Sequence, residues 1–175
     1  MTLVTIYIQV HGIIMADLSE VSRCEPVMEA LLQETVVTTT CLVLELDMQT
    51  CELEELQISS VFHLKVLKQD FLTALFTHFD MMFTHGREYV LLSTGPRSQP
   101  THWKQMIFCL KEDLLVNEGD TIVGEMKVET ASIEAGKVEV ELSSIEARKV
   151  NFDVKLRHIG KWGSKKLLKE VFRMG

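Results

Sequence analysis

The sequence predicts a mainly β protein, an antiparallel β-barrel-like domain with a short N-terminal helix. Three observations carry that expectation. Apolar and polar residues alternate with period two in several separate stretches. The cleanest are Val138, Val140 and Leu142 against Lys137, Glu139 and Glu141, and Val150, Phe152, Val154 and Leu156 against Lys149, Asn151, Asp153 and Lys155. Such alternation puts one strand face in a core and the other in water, the habit of antiparallel sheets. Turn chemistry punctuates the strands, and Asn117-Glu118-Gly119-Asp120 reads as a hairpin turn. Finally, this many amphipathic strands have edges to hide, and closing the sheet on itself hides them.

The elements follow in order. Residues 3–10 set Val4, Ile6, Ile8 and Val10 opposite Thr5, Tyr7 and Gln9, a strand stopped by Gly12. Asp17-Leu18-Ser19-Glu20 offers an N-cap with an acid three residues later, so a short helix is expected to end before Pro26. Residues 26–34 are ambiguous, with Val27, Ala30, Leu31 and Glu34 suited to a helix begun by proline at the first position. From Val36 the chain is β-rich through Cys41 to Leu46, and Glu52 to Glu55 read as an acidic turn. Phe62, Leu64 and Val66 alternate with His63 and Lys65 as a half-buried strand. Residues 71–83 are expected to form one long strand with Phe71, Leu75, Phe79, Met81 and Phe83 on a face, because Thr73, Thr77 and Thr84 favour β structure over helix. A turn at residues 85–88 leads to a strand at 89–92. Beyond residue 105, two apolar runs (106–110 and 113–116) precede the hairpin turn, and Ile122, Met126 and Val128 share the next strand face. Gly160 and Gly163 bracket Trp162, and the tail from residue 164 to 173 is a basic amphipathic helix or a last strand.

Composition sets bounds on function. At 175 residues the chain is long enough to bury a core without staples, roughly 70% of its unfolded surface. The cysteines Cys24, Cys41, Cys51 and Cys109 are far apart, with no Cys-x-x-Cys pair, which fits reduced, mostly buried thiols in the cytoplasm or nucleus rather than a zinc or disulfide framework. Residues 2–10 are too short and too polar for a signal peptide or a membrane span. A formal charge of −7 disfavours nucleic acid as the main partner. No glycine-rich phosphate cradle occurs, Ser93 and His102 lack a nucleophile elbow, and His78 and His85 lack a third ligand, so no metal site is expected.

One stretch stands apart. Residues 93–105 read Ser-Thr-Gly-Pro-Arg-Ser-Gln-Pro-Thr-His-Trp-Lys-Gln, where two prolines and a glycine exclude regular structure, yet His102 adjoins one of only two tryptophans, Trp103. Either this is a functional loop held by flanking strands, or it is a long connection whose tryptophan packs back on the sheet.

The loop Thr101-His102-Trp103-Lys104-Gln105, after Ser93-Thr94-Gly95-Pro96, resembles the Thr-His-Trp loop in the C-terminal barrel domain of the protein arginine N-methyltransferases. Similar landmarks appear in the same order at Glu25-Pro26, Val36-Val37-Thr38, Cys41-Leu42, Leu44-Glu45-Leu46-Asp47, Asp70-Phe71, Ala74-Leu75, Phe79 and Phe83-Thr84. The resemblance covers residues 10–128, is loose beyond, and returns at Phe172-Arg173-Met174; before Val10 it is lost. It implies a barrel domain over residues 12–175, with residues 1–11 as a remnant or replacement of the family's dimerisation arm and residues 26–34 as an extended segment crossing toward the barrel.

What the resemblance implies for function is equally specific. The family transfers a methyl group from S-adenosylmethionine to a guanidinium between a Rossmann-like domain and the barrel. Carried over, His102 would pair with carboxylates of the other domain, and Trp103 with Thr101 would wall the substrate pocket. Neither the cofactor domain nor its paired-glutamate loop is found here. The chain is therefore expected to be inactive alone, with no cofactor-binding residues of its own. Arginine-containing proteins, Arg-Gly-rich segments or histone tails, are the implied substrates, and a catalytic methyltransferase subunit the implied partner; neither nucleic acid nor membrane is expected. Three readings follow: the barrel half of such an enzyme, a stand-alone regulatory or protein-binding subunit descended from it, or an unrelated β-barrel module.

Overall fold

The computed structural model describes residues 9–10, 13–14, 25–52, 55, 58–84, 86–130, 150–160, 163 and 165–174. In chain order the strands are β1 (Gln9–Val10), β2 (Ile13–Ile14), β3 (Val27–Glu29), β4 (Ile58–Lys65), β5 (Asp70–Thr77), β6 (Asp80–Phe83), β7 (Val90–Ser93), β8 (Gln105–Val116), β9 (Thr121–Thr130), β10 (Val150–Ile159) and β11 (Lys165–Met174). One 3-10 turn lies at Gln33–Thr35, and no α-helix occurs among the described residues. The mainly β, antiparallel class read from the sequence is the class observed. The helix expected before Pro26, most of the strand at 3–10, the strand at 137–142 and Trp162 lie outside the described residues. The chain divides into two compact units, residues 1–36 with 72–113, and residues 37–71 with 114–175.

The second unit holds a four-stranded antiparallel sheet in the order β11-β10-β9-β4. Its buried face is the alternation legible in the sequence. Ile122, Met126 and Val128 of β9, Phe152, Val154 and Leu156 of β10, and Leu168 and Phe172 of β11 are all buried. Gly124 lies in the row Phe62–Gly124–Leu156–Leu168 because the Phe62 ring occupies the space of its missing side chain; a Cβ there would come within 2.1 Å of the ring. The tail is a strand, β11, and not a helix.

Next to this sheet, the turn at residues 117–120 is tied down from several sides. Gly119 takes φ +88°, and the Asp120 N–H donates to the Asn117 carbonyl at 3.0 Å. Val66 exchanges two backbone bonds with the turn, donating to Asp120 O (2.9 Å) and accepting from the Gly119 N–H (3.0 Å). The Asp120 carboxylate accepts the Asn117 N–H and meets His158 Nε2, both at 2.9 Å, and both side chains of that pair are buried. The turn is not the hairpin expected, since the strands it joins, β8 and β9, belong to different sheets.

In the first unit, β8 lies between β3 and β5. A strand with neighbours on both sides can bury consecutive residues, and Ile107, Phe108 and Leu110 are buried. The two apolar runs expected after residue 105 are one continuous strand of 12 residues. Residues 26–34 hold no α-helix: Val27, Met28 and Glu29 are extended, as the resemblance implies, and pair with Ile107, Met106 and Gln105, while the 3-10 turn begins at Gln33.

Three further expectations are corrected. The long strand at 71–83 is two, β5 and β6, interrupted at His78 and Phe79. The break has a cause: Phe79 is taken by Thr94, whose N–H donates to Phe79 O at 3.0 Å while its hydroxyl accepts the Phe79 N–H at 3.0 Å and lies 2.9 Å from Phe79 O. Of the face expected for that strand only Leu75 is buried. Residues 36–46 form no strand. Thr38 bridges Val66, flanked by the Thr39 N–H donating to Lys65 O and the Leu67 N–H to Val37 O, both at 2.9 Å, but the ladder goes no further and Leu42 is 72% exposed. The described cysteines are free but not mostly buried: Cys41 is exposed, Cys51 and Cys109 intermediate.

Candidate functional site

The loop between β7 and β8 is built from both ends inward. At its start Thr94 is buried and bound to Phe79 as above, and the Ser98 N–H closes a turn on the Gly95 carbonyl at 3.0 Å. Gly95 packs against His78, where an added Cβ would meet the imidazole at 3.2–3.3 Å. At the loop's end, Gln105 is buried and spans two segments. Its Oε1 accepts the Leu31 N–H at 2.7 Å and its Nε2 donates to the Thr94 carbonyl at 2.5 Å. One side chain thus joins the two ends of the loop and ties both to the segment after β3.

Between those anchors, Thr101 to Lys104 form a tight turn, with the Lys104 N–H donating to Thr101 O at 3.3 Å. Lys104 holds φ 55°, the left-handed region that costs a residue with a side chain on the order of 1 kcal/mol. Two contacts offset this strain: the Gln105 anchor that follows, and the ion pair of Lys104 Nζ with Glu29 Oε1 at 3.2 Å. The Glu29 carboxyl is held below the usual carboxylate range, first by the Ala30 N–H and then by the Lys104 ammonium.

His102 and Trp103 occupy the centre of this turn. Both are exposed, Trp103 to 56%, with its ring edge against Phe79 at a centroid distance of 6.1 Å and an interplanar angle of 73°. The tryptophan touches the preceding β-segment but is not buried on it. Thr101 is half-buried, and its hydroxyl oxygen is enclosed without a hydrogen-bond partner among the described residues. Beside the loop, Phe79 and the β6–β7 pair expose a run of large apolar side chains, with Met82 at 63%, Phe83 at 51% and Leu91 at 60%.

The Ser93–His102 combination is not an activated nucleophile. Ser93 donates its hydroxyl to Asp80 Oδ1 at 2.5 Å and accepts the Gly95 N–H at 3.2 Å, a structural role. His78 lies 3.6 Å from the same carboxylate oxygen; His85 is outside the described residues. Among the described residues no three His, Cys, Asp or Glu side chains are grouped to hold a metal. The residue that sequence reasoning passed over is Gln105. A glutamine opening the apolar run at 106–110, where a polar side chain must be satisfied if buried, was the available signal.

Residues 2–147 match the family model described as the arginine methyltransferase oligomerization subdomain. The chain belongs to the protein arginine methyltransferase family. The match extends past the landmarks at 10–128 in both directions, and it removes the reading of an unrelated β-barrel module. Curated relatives include protein arginine N-methyltransferase 1 of Dictyostelium discoideum, 34% identical over 117 residues, 67% of this chain and 34% of that protein. Protein arginine N-methyltransferase 8-B of Danio rerio is 36% identical over 119 residues, 68% of this chain and 28% of that protein. The chain thus spans about a third of the length of the arginine methyltransferases it matches. Among solved structures, the Trypanosoma brucei PRMT1 enzyme-prozyme heterotetrameric complex with AdoHcy is similar with a TM-score of 0.80 and 25% identity, over 97% of this chain and 50% of that one. Arabidopsis thaliana protein arginine methyltransferase 10 shares the fold, with a TM-score of 0.76, 18% identity, and coverage of 94% and 49%.

Proposed function

We propose that this chain supplies the barrel, substrate-side half of an S-adenosylmethionine-dependent protein arginine N-methyltransferase and completes an active site together with the family's cofactor domain, in the cytoplasm or nucleus. His102 would orient that domain's carboxylates, while Trp103 and Thr101 wall the pocket for the arginine of an Arg-Gly-rich segment or histone tail. The observation that carries this reading is the Thr101–Lys104 turn, which displays His102 and Trp103 from a loop locked by Gln105 beside an uncovered apolar hairpin. An imidazolium beside carboxylates is favoured in its charged form and fixes them in place, which is a use for a histidine with no described partner of its own.

Among the described residues no glycine-rich turn opens a helix of the kind that would hold the ribose and amino-acid groups of S-adenosylmethionine. The cofactor, which supplies the methyl group in the family, is accordingly assigned to the family's cofactor domain.

A second reading, a non-catalytic regulatory or protein-binding subunit, has one observation in its favour: the similar Trypanosoma brucei structure is an enzyme-prozyme heterotetramer, an assembly of unlike subunits. One experiment separates the two. Methylation of an arginine-glycine-rich peptide is measured with this chain and an arginine methyltransferase cofactor domain supplied in trans, wild type against His102→Ala. The first reading expects a loss of about tenfold to a thousandfold, the scale of positioning and charge effects. Equal rates with intact folding would overturn the role of His102 and leave the regulatory reading.

A further inference from the structure

The sheet β11-β10-β9-β4 has a second face, turned to solvent, whose charge runs against that of the chain. Register places Val61, His63 and Lys65 of β4, Val123, Glu125 and Lys127 of β9, Asp153, Lys155 and Arg157 of β10, and Leu167, Lys169, Val171 and Arg173 of β11 on that side. Six of these residues are Lys or Arg and two are carboxylates, and register adds Lys165 and Glu129 to the same side, in a chain of net charge −7. Of the acids, Glu125 is taken within the face by Lys155 at 2.8 Å and Lys127 at 3.7 Å. Among the described residues no carboxylate pairs with Arg157, Lys169 or Arg173. Lys155 and Lys169 stand directly opposite each other across β10 and β11, a like-charge pairing that Glu125 answers on the Lys155 side only. Between the cations lie exposed aliphatic side chains, Val61 at 62%, Leu167 at 58% and Val171 at 48%.

We propose that this outer face is a docking surface for an acidic, aliphatic segment of a partner protein. Carboxylates of that segment would meet Arg157, Lys169 and Arg173, and its apolar side chains Leu167, Val171 and Val61. Nucleic acid fits the face less well, because among the described residues no Phe, Tyr or Trp lies on it to stack a base, and Glu125 and Asp153 interrupt the row of cations a phosphate backbone would follow. A bilayer surface fits less well too, since the aliphatic groups are short side chains interspersed with charges and the chain as a whole would be repelled by anionic lipid. The face belongs to the unit without the Thr-His-Trp loop, so its fate is independent of the methyltransferase reading.

The test uses the full chain and fluorescence anisotropy with a fluorescein-labelled peptide of alternating Glu and Val. An alternating Lys-Val peptide, oligothymidylate and phosphatidylserine-containing vesicles serve as competing probes. Binding of the Glu-Val peptide is expected, weakening as salt rises from about 0.05 to about 0.2 M. Reversing two cations, Arg157→Glu with Lys169→Glu, should weaken it about tenfold, while Lys68→Glu, off the face, leaves it unchanged. If the double reversal unfolds the chain, Arg157→Gln with Lys169→Gln keeps the comparison, with a smaller loss expected. No binding of the Glu-Val peptide, binding insensitive to these substitutions, or tighter binding of any competing probe would overturn the proposal.

Discussion

Replacing Gln105 by alanine tests whether one buried amide holds the Thr-His-Trp loop in place. The substitution removes the acceptor of the Leu31 N–H and the donor to the Thr94 carbonyl. Thr94 is only 1% exposed and water cannot readily replace the lost donor, whereas Leu31 is half-buried. A buried polar group left unpaired costs about 1–3 kcal/mol, so the two together should cost about 2–4 kcal/mol. In a domain of this size that is a fall of about 5–15 °C in Tm, read by circular dichroism. Hydrogen exchange should place the loosening at the Leu31 and Lys104 amides, ahead of the β9–β10 ladder. Gln105→Glu refines the test. Its carboxylate can still accept from Leu31 but faces the Thr94 carbonyl, so only the protonated acid restores that second bond. Burial and the missing donor raise the pKa of such a group, so its folded-state cost should shrink as pH falls through that raised value, with Gln105→Glu gaining on wild type in acid. A Gln105→Ala melt within about 1 °C of wild type would refute the anchoring role, because even one lost buried hydrogen bond should move Tm further.

Gly124→Ala should destabilise the four-stranded sheet by about 1–3 kcal/mol, since the Phe62 ring must leave the space a Cβ would enter; a chemical-denaturation midpoint equal to wild type would show that the ring moves freely. His158→Ala strips the buried Asp120 carboxylate of one partner and should cost about 2–4 kcal/mol by the same measurement, with His158→Gln recovering part of it. At Glu29 the folded carboxyl lies below its unfolded value, so its contribution is present above the unfolded pKa and lost as pH falls through the folded one. In a carboxyl NMR titration Lys104→Ala should raise the Glu29 pKa only part of the way, because the Ala30 N–H still donates; an unchanged titration would remove the lysine from the account.

The sequence disclosed those parts of the fold whose causes are local. β9 and β10 were legible because alternation is a property of adjacent residues, and Phe152, Val154 and Leu156 are buried where the pattern put them. The Thr-His-Trp loop was legible because proline and glycine exclude regular structure wherever they occur. What stayed hidden depends on distant partners. The break between β5 and β6 is made by Thr94, 15 residues from Phe79, and the composition that reads as one strand at 71–83 carries no trace of it. Lys111, Glu112 and Asp113 divide the apolar runs of β8 as a turn would, yet they are exposed positions of one continuous strand. Residues 36–46 have strand composition but only a single bridge, at Thr38, because propensity without a continuing neighbour extends no ladder. Gln105 was passed over for the same reason: its partners lie 74 and 11 residues away.

The anchoring of the loop bears on what it can contribute to an active site. Thr94, Gln105, Leu31, Glu29 and Phe79 all lie in the unit of residues 1–36 and 72–113, so every described contact that shapes the Thr101–Lys104 turn is made within that unit. The left-handed Lys104 and the buried Gln105 are therefore costs met during folding rather than during docking. A partner that meets His102 and Trp103 in a fixed turn forgoes the cost of ordering the turn's backbone, about 1–2 kcal/mol for each residue it would otherwise have to fix. That saving is available only while the anchors stand. Gln105→Ala should consequently weaken the proposed reconstituted activity although Gln105 itself is buried beneath the turn, and His102→Ala should weaken it without lowering the melting temperature. The two substitutions separate holding the loop from using it: if they affect rate and stability in parallel, the loop acts as structure alone.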